Sequence, residues 1–231
     1  MKLCVALDLP TMEENIKLAK SLKEYDIWLK VGFRSYIRDG KKIIEELKSI
    51  NQNFKIFLDL KLYDIPNTMS DAASEIAELG IDMFNIHISS GKTAMRNVMQ
   101  RLANIKNRPL VLGVSVLTSF NNKEFKAIYG ASIEKRSLEF AKAAYECKID
   151  GVVCSAYESK DIKDATDDTF ITLTPGIRPF GEDSNDQKRV ADIKMAKENM
   201  VDIIVVGRPI YLSDDPVQVV KDIILHPISR S

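Results

Sequence analysis

Eight short apolar runs recur along the chain, each followed by a longer amphipathic stretch. Few folds accommodate that repeat. The runs lie at residues 3–9, 27–32, 55–62, 83–89, 110–117, 151–155, 170–177 and 202–207. Strands buried on both faces read as near-continuous Val/Ile/Leu segments, and these do. The stretches between them, at 12–23, 35–49, 67–79, 92–105, 132–147, 188–199 and 215–225, carry apolar residues at helical spacing. A shorter helix is expected at 158–165. Thr11 with Glu14 three residues on has capping-box spacing and marks a helix start. Strands alternating with helices predict a parallel sheet, and eight repeats predict closure into a (β/α)8 TIM barrel. No G-x-G-x-x-G follows the first strand, which argues against a dinucleotide-binding sheet.

A chain of 231 residues suits one such barrel, so residues 1–231 are expected to form one domain. Lys+Arg and Asp+Glu are equal at 33 each, so no whole-protein field favours nucleic acid or an anionic membrane. No apolar stretch approaches a membrane span. The cysteines, Cys4, Cys147 and Cys154, are odd in number and lack C-x-x-C spacing. Reduced thiols in the cytoplasm are the expectation. Cys/His/carboxylate metal spacing is lacking, so no metal is expected. Of the two histidines, His87 is expected to be a buried, hydrogen-bonded residue rather than a ligand.

In this fold the site lies at the carboxyl ends of the strands, so charges there matter most. The first strand ends at Asp8. The second carries Lys30. The third ends Asp59-Leu60-Lys61-Leu62-Tyr63-Asp64. Residues two apart on a strand share a face, which sets Asp59 and Lys61 together. A lone Asp–Lys pair at such a place is most often a rim salt bridge. Here Lys30, Asp59, Lys61 and Asp64 are expected to form an alternating ionic array, with Asp8 nearby. Flanking carboxylates would keep each lysine protonated. Asp64 has the opposite strand parity and is expected in the loop, turning inward or reaching another subunit.

Later strand ends offer handles for an anion. The seventh leads into Gly176-Ile177-Arg178 and the eighth into Gly207-Arg208. Loops after strands seven and eight often bind phosphate in barrels. Arg178, Arg208 and the Gly207 backbone are the expected donors, with Gln187 beyond a Gly/Pro/acid-rich loop at 179–186. Thr118 and Ser119 follow strand five and are placed to hydrogen-bond a heterocycle; Ser155 ends strand six.

The run Phe57-Leu58-Asp59-Leu60-Lys61-Leu62-Tyr63-Asp64-Ile65-Pro66-Asn67-Thr68 resembles the signature of orotidine 5′-phosphate decarboxylases. The likeness extends through Ala6-Leu7-Asp8, Leu29-Lys30-Val31-Gly32, Val114–Ser119, Gly151–Ser155, Pro175–Pro179, Asp186–Arg189 and Val206–Ile210. It implies cofactor-free conversion of orotidine 5′-monophosphate to uridine 5′-monophosphate, a step of pyrimidine biosynthesis. It implies that Asp8 and Lys30 bind the ribose, and that Asp59 and Lys61 face the scissile carboxylate, with Lys61 the proton donor. Asp64 and Thr68 would act from the partner subunit of a homodimer. Thr118 would contact the pyrimidine, and Arg178, Gln187, Gly207 and Arg208 the phosphate. One departure is Ile86-His87-Ile88-Ser89-Ser90-Gly91, which lacks the family's small, double-glycine ending. Two rivals stand beside it: magnesium-dependent keto-sugar-phosphate decarboxylases or hexulose-phosphate synthases of the same superfamily, which share the D-x-K-x-x-D core, and a non-catalytic nucleotide-binding barrel.

Overall fold

In a computed structural model, residues 1–181 and 190–226 are described. Among them, eight parallel strands close a barrel in chain order, β1-β2-β3-β4-β5-β6-β7-β8. The strands are β1 Lys2–Ala6, β2 Trp28–Gly32, β3 Lys55–Leu62, β4 Met83–His87, β5 Leu110–Val114, β6 Gly151–Val153, β7 Ile171–Thr174 and β8 Ile203–Val206. The helices around them are α1 Met12–Ser21, α2 Phe33–Asp39, α3 Lys41–Ile50, α4 Pro66–Ala77, α5 Lys92–Leu102, α6 Asn122–Tyr129, α7 Ile133–Glu146, α8 Ala156–Ala165, α9 Ile193–Glu198, α10 Arg208–Tyr211 and α11 Pro216–Leu225. All eight expected strands are present, so the TIM barrel is as the sequence predicts.

The differences have local causes. The helix expected at 35–49 is two, because Gly40 breaks it with φ +57, a conformation open to glycine. The helix expected to be short, at 158–165, starts two residues earlier and reaches ten residues. Ser155 caps it, accepting the Tyr157 N–H while Glu158 accepts the Ser155 N–H. The same box closes the start of α1, where Thr11 and Glu14 bond reciprocally. Helix α6 was not expected. Asn121 and Glu124 form its capping box, and Phe125 anchors it beneath Val116 and Ile133. The loop expected at 179–186 lies mostly outside the described residues. The described residues on either side come together, as Ile177 bridges Ala191, and the Tyr157 hydroxyl donates to the Val190 carbonyl at 3.0 Å.

Two apolar layers result. One lies between sheet and helices, from Val5, Leu29, Ile56, Phe84, Val111 and their helical partners. The other fills the barrel, where Trp28, Phe57, Met83, Leu112 and Leu173 meet. The bulky Ile88 fits because β5 carries Gly113 opposite it. A Cβ on Gly113 would lie 2.6 Å from Ile88 Cγ1.

The amino-terminal face is closed by a device repeated before β4, β6 and β8. Asp82, Asp150 and Asp202 each accept a backbone N–H from the preceding strand: Ile56 at 2.9 Å, Val111 at 2.8 Å and Thr172 at 2.8 Å. Each also holds a cation: Lys48 and Lys55, Arg108, and Lys163 respectively. N–H groups that the ladder leaves unpaired at the barrel floor are thereby satisfied. Asp150→Ala should strand the Val111 N–H and Arg108, costing about 2 kcal/mol. For a chain of this size that is about 4–8 °C in Tm. Thermal melts check it, and an unchanged Tm contradicts the account.

Candidate active site

The inward parity that builds the barrel core continues upward. Above Trp28 stands Lys30, above Phe57 stands Asp59, and above Met83 stands Asn85. The apolar filling thus gives way, one layer higher, to a cation, an anion and an amide.

These groups are close. Lys30 Nζ lies 3.1 Å from Asp8 Oδ1 and 3.5 Å from Asp59 Oδ2. Lys61 Nζ lies 2.6 Å from Asp59 Oδ1. The order is therefore Asp8–Lys30–Asp59–Lys61. Gly32 makes room for it, since a Cβ there would lie 2.9 Å from the Lys30 ammonium. Burial alone would raise the Asp59 carboxyl. The charges of Lys30 and Lys61, with hydrogen bonds from Lys61 and Asn85, outweigh burial and hold it below the ordinary carboxylate value. Burial would likewise lower Lys30, but Asp59 and Asp8 raise it above its ordinary value. His87 is lowered, first by burial and then by the Lys61 charge. Its ring makes no hydrogen bond among the described residues and instead lies 5.4 Å from the Tyr63 ring. That corrects the expectation of a hydrogen-bonded histidine.

Asp59 and Lys61 do not meet through regular strand parity. Leu58 pairs with Phe84 and Leu62 with Ile86, so β3 takes four residue steps where β4 takes two. Lys61 sits within this bulge at φ +50. A non-glycine residue held there costs about 1–3 kcal/mol and persists only where its surroundings fix it. Here the Lys61 N–H donates to Asn85 Oδ1 at 2.7 Å.

Asp8, Lys30, Asp59 and Lys61 line one cavity of about 530 Å³. Thr118, Arg178, Gly207 and Arg208 line the same cavity, so residues from strand ends one to three, five, seven and eight converge. Thr118 and Arg178 are buried. The Arg178 guanidinium donates to its neighbour's carbonyl, Ile177 O, at 3.2 Å. Two arginines beside a glycine N–H suit an anionic group. Gln187 lies outside the described residues.

Asp64 and Thr68 are not in this cavity. They line an adjoining depression with Phe33, Tyr63 and Met69, which shares Lys61 with the cavity. Asp64 is exposed and accepts the Ile65 N–H at 2.6 Å. Within one chain the fourth member of the ion array is Asp8, not Asp64, because the chain leaves the barrel at Tyr63. Sequence reasoning missed three residues. Arg34 and Tyr211 line the cavity mouth, and Arg34 donates to the Asp8 carbonyl at 3.4 Å. Asn85 was legible as a polar residue inside an apolar strand. Ser155 is a helix cap and does not line the cavity.

A model of the orotidine 5′-phosphate decarboxylase / HUMPS family matches residues 1–223. The orotidine 5′-phosphate decarboxylase of Nitratiruptor sp. is 67% identical over 224 residues, covering 97% of this chain and 99% of that one. That of Sulfurimonas denitrificans is 63% identical over 224 residues, covering 97% and 99%. Among solved structures, orotidine 5′-phosphate decarboxylase from Lactobacillus acidophilus superposes with a TM-score of 0.83 at 34% identity, covering 96% of each chain. The chain therefore belongs to the orotidine 5′-phosphate decarboxylase / HUMPS family.

Proposed function

We propose that this chain decarboxylates orotidine 5′-monophosphate to uridine 5′-monophosphate and carbon dioxide. One observation carries the reading: a largely buried Asp59 carboxylate held between two ammonium groups in a cavity that two arginines also line. The names of relatives at 63–67% identity support it and do not favour the magnesium-dependent rival.

The chemistry requires such a floor. When the C6–carboxylate bond breaks, its electron pair stays on C6 and carbon dioxide leaves. No neighbouring carbonyl delocalises that pair. Catalysis must come from interactions stronger in the transition state than in the bound substrate. Asp59 would repel the substrate carboxylate and favour its departure. The Lys61 ammonium would stabilise the growing charge on C6 and then donate its proton there. Lys61 is left neutral and regains a proton from water. Asp8 and Lys30 would hold the ribose hydroxyls, Thr118 the pyrimidine, and Arg178, Gln187, Gly207 and Arg208 the phosphate. Binding energy at the phosphate is then available at C6. No metal or cofactor has a part in this scheme.

The active unit in the proposal is a cytoplasmic homodimer. Asp64 and Thr68 sit beside exposed Phe33, Tyr63 and Ile65, an apolar surface suited to a second copy. Across it, Asp64 and Thr68 would complete the partner's site. The cysteines, buried and joined in no disulfide, fit a reducing compartment.

In chelating buffer the protein should convert orotidine 5′-monophosphate, followed by pyrimidine absorbance, and Lys61→Ala should lose nearly all turnover while leaving the fold intact. Activity that vanishes with chelator, or a folded and active Lys61→Ala, contradicts the mechanism. The shared site makes a second prediction. Lys61→Ala and Asp64→Ala, each inactive alone, should recover about a quarter of wild-type activity when unfolded and refolded together, because half the dimers then hold one intact site. No recovery from well-folded mixed dimers contradicts the shared site.

A further inference from the structure

Asn85 stands at the centre of β4, buried, one layer above Met83. It does not line the cavity. Its carboxamide nevertheless touches both residues at the cavity floor. Oδ1 accepts the Lys61 N–H at 2.7 Å, and Nδ2 donates to Asp59 Oδ1 at 2.8 Å. The two partners fix the amide's orientation. A backbone N–H can only donate and an ionised carboxylate can only accept, so one of the two flips satisfies both.

The two bonds bracket the bulge. Between Leu58–Phe84 and Leu62–Ile86 the β3–β4 pairing is interrupted. Asn85 bridges the gap with its side chain. One end holds Lys61 at its positive φ; the other holds the oxygen of Asp59 to which the Lys61 ammonium binds at 2.6 Å. The second Asp59 oxygen is left to face Lys30.

We propose that Asn85 is a positioning residue for the decarboxylation, clamping the bulge that sets Lys61 and Asp59 against each other beneath the substrate. The proposal rests on the decarboxylase reading. Few side chains can replace it. Leucine leaves the half-buried Lys61 N–H without its partner. Aspartate places a second carboxylate against Asp59. Serine reaches one partner only. The amide has a further effect, since its N–H helps keep Asp59 ionised.

The test compares wild type, Asn85→Ala, Asn85→Ser and, as a stability control at the opposite end of the barrel, Asp150→Ala. Turnover of orotidine 5′-monophosphate, binding of uridine 5′-monophosphate by calorimetry, and the pH profile of kcat are measured on each. Asn85→Ala should lower kcat about 100-fold. KM and nucleotide affinity should stay within about threefold, as for a loss confined to the transition state. The acid limb of kcat should move to higher pH, because Asp59 has lost a donor. A carbon-13 titration of the Asp59 carboxyl should move the same way. Asp150→Ala should lower Tm with kcat and the limb unchanged. If Asn85→Ala does not fold, Asn85→Ser should show the same split in smaller measure. An Asn85 variant that loses Tm but keeps kcat and the acid limb overturns the proposal. So does one that loses kcat and nucleotide binding equally. A wild type silent toward orotidine 5′-monophosphate would instead sink the decarboxylase reading itself.

Discussion

A carboxylate buried between two ammonium groups is the constraint on which the rest of the site depends. Alone, burial would push the Asp59 carboxyl above its ordinary value. Lys30 on one side and Lys61 on the other reverse that preference. Each neighbour is itself fixed. Lys30 is held from behind by Asp8 in space that Gly32 leaves open. Lys61 is held by a bulge and by the Asn85 amide. Removing any member leaves a buried charge with too few partners, so the array stands or falls together.

The barrel uses the same pairs differently at its two ends. At the amino-terminal face, Asp82, Asp150 and Asp202 bind cations and backbone N–H groups together. Those carboxylates close the ends of strands. At the carboxyl-terminal face the carboxylates and lysines bind one another above an apolar floor and open into a cavity. A closed, hydrogen-bonded lower half thus supports an upper layer in which Lys61 occupies a backbone conformation unfavourable to its residue type.

Much of this was legible in the chain. Parallel strands covered on both faces read as apolar runs, so all eight strands are found. Some carboxyl ends are overestimated, as at Leu7, Leu117 and Ile177, because apolar packing continues after the ladder stops, while those of β2 and β3 fall where expected. Gly40 is invisible to a pattern whose period runs across it. Helix α6 carried a readable N-x-x-E cap, but it falls in a loop where the strand–helix alternation predicts nothing. At the site, Asp8, Lys30, Asp59 and Lys61 stand out because charges interrupt apolar segments. Asn85 interrupts one too, yet a neutral amide resembles an ordinary satisfied polar group until its two partners are seen. The place of Asp64 depends on where the chain leaves the strand, which parity cannot give.

The central claim is that Lys61 stabilises charge at C6 and carries the proton to it. Microscopic reversibility makes this testable on the product alone. Uridine 5′-monophosphate is incubated with the protein in deuterated water, and its C6 proton is followed by NMR. The account predicts enzyme-catalysed exchange of that proton for deuterium, absent with Lys61→Ala at nucleotide saturation. Exchange that survives the loss of Lys61, or no exchange by a protein that decarboxylates orotidine 5′-monophosphate, would contradict it.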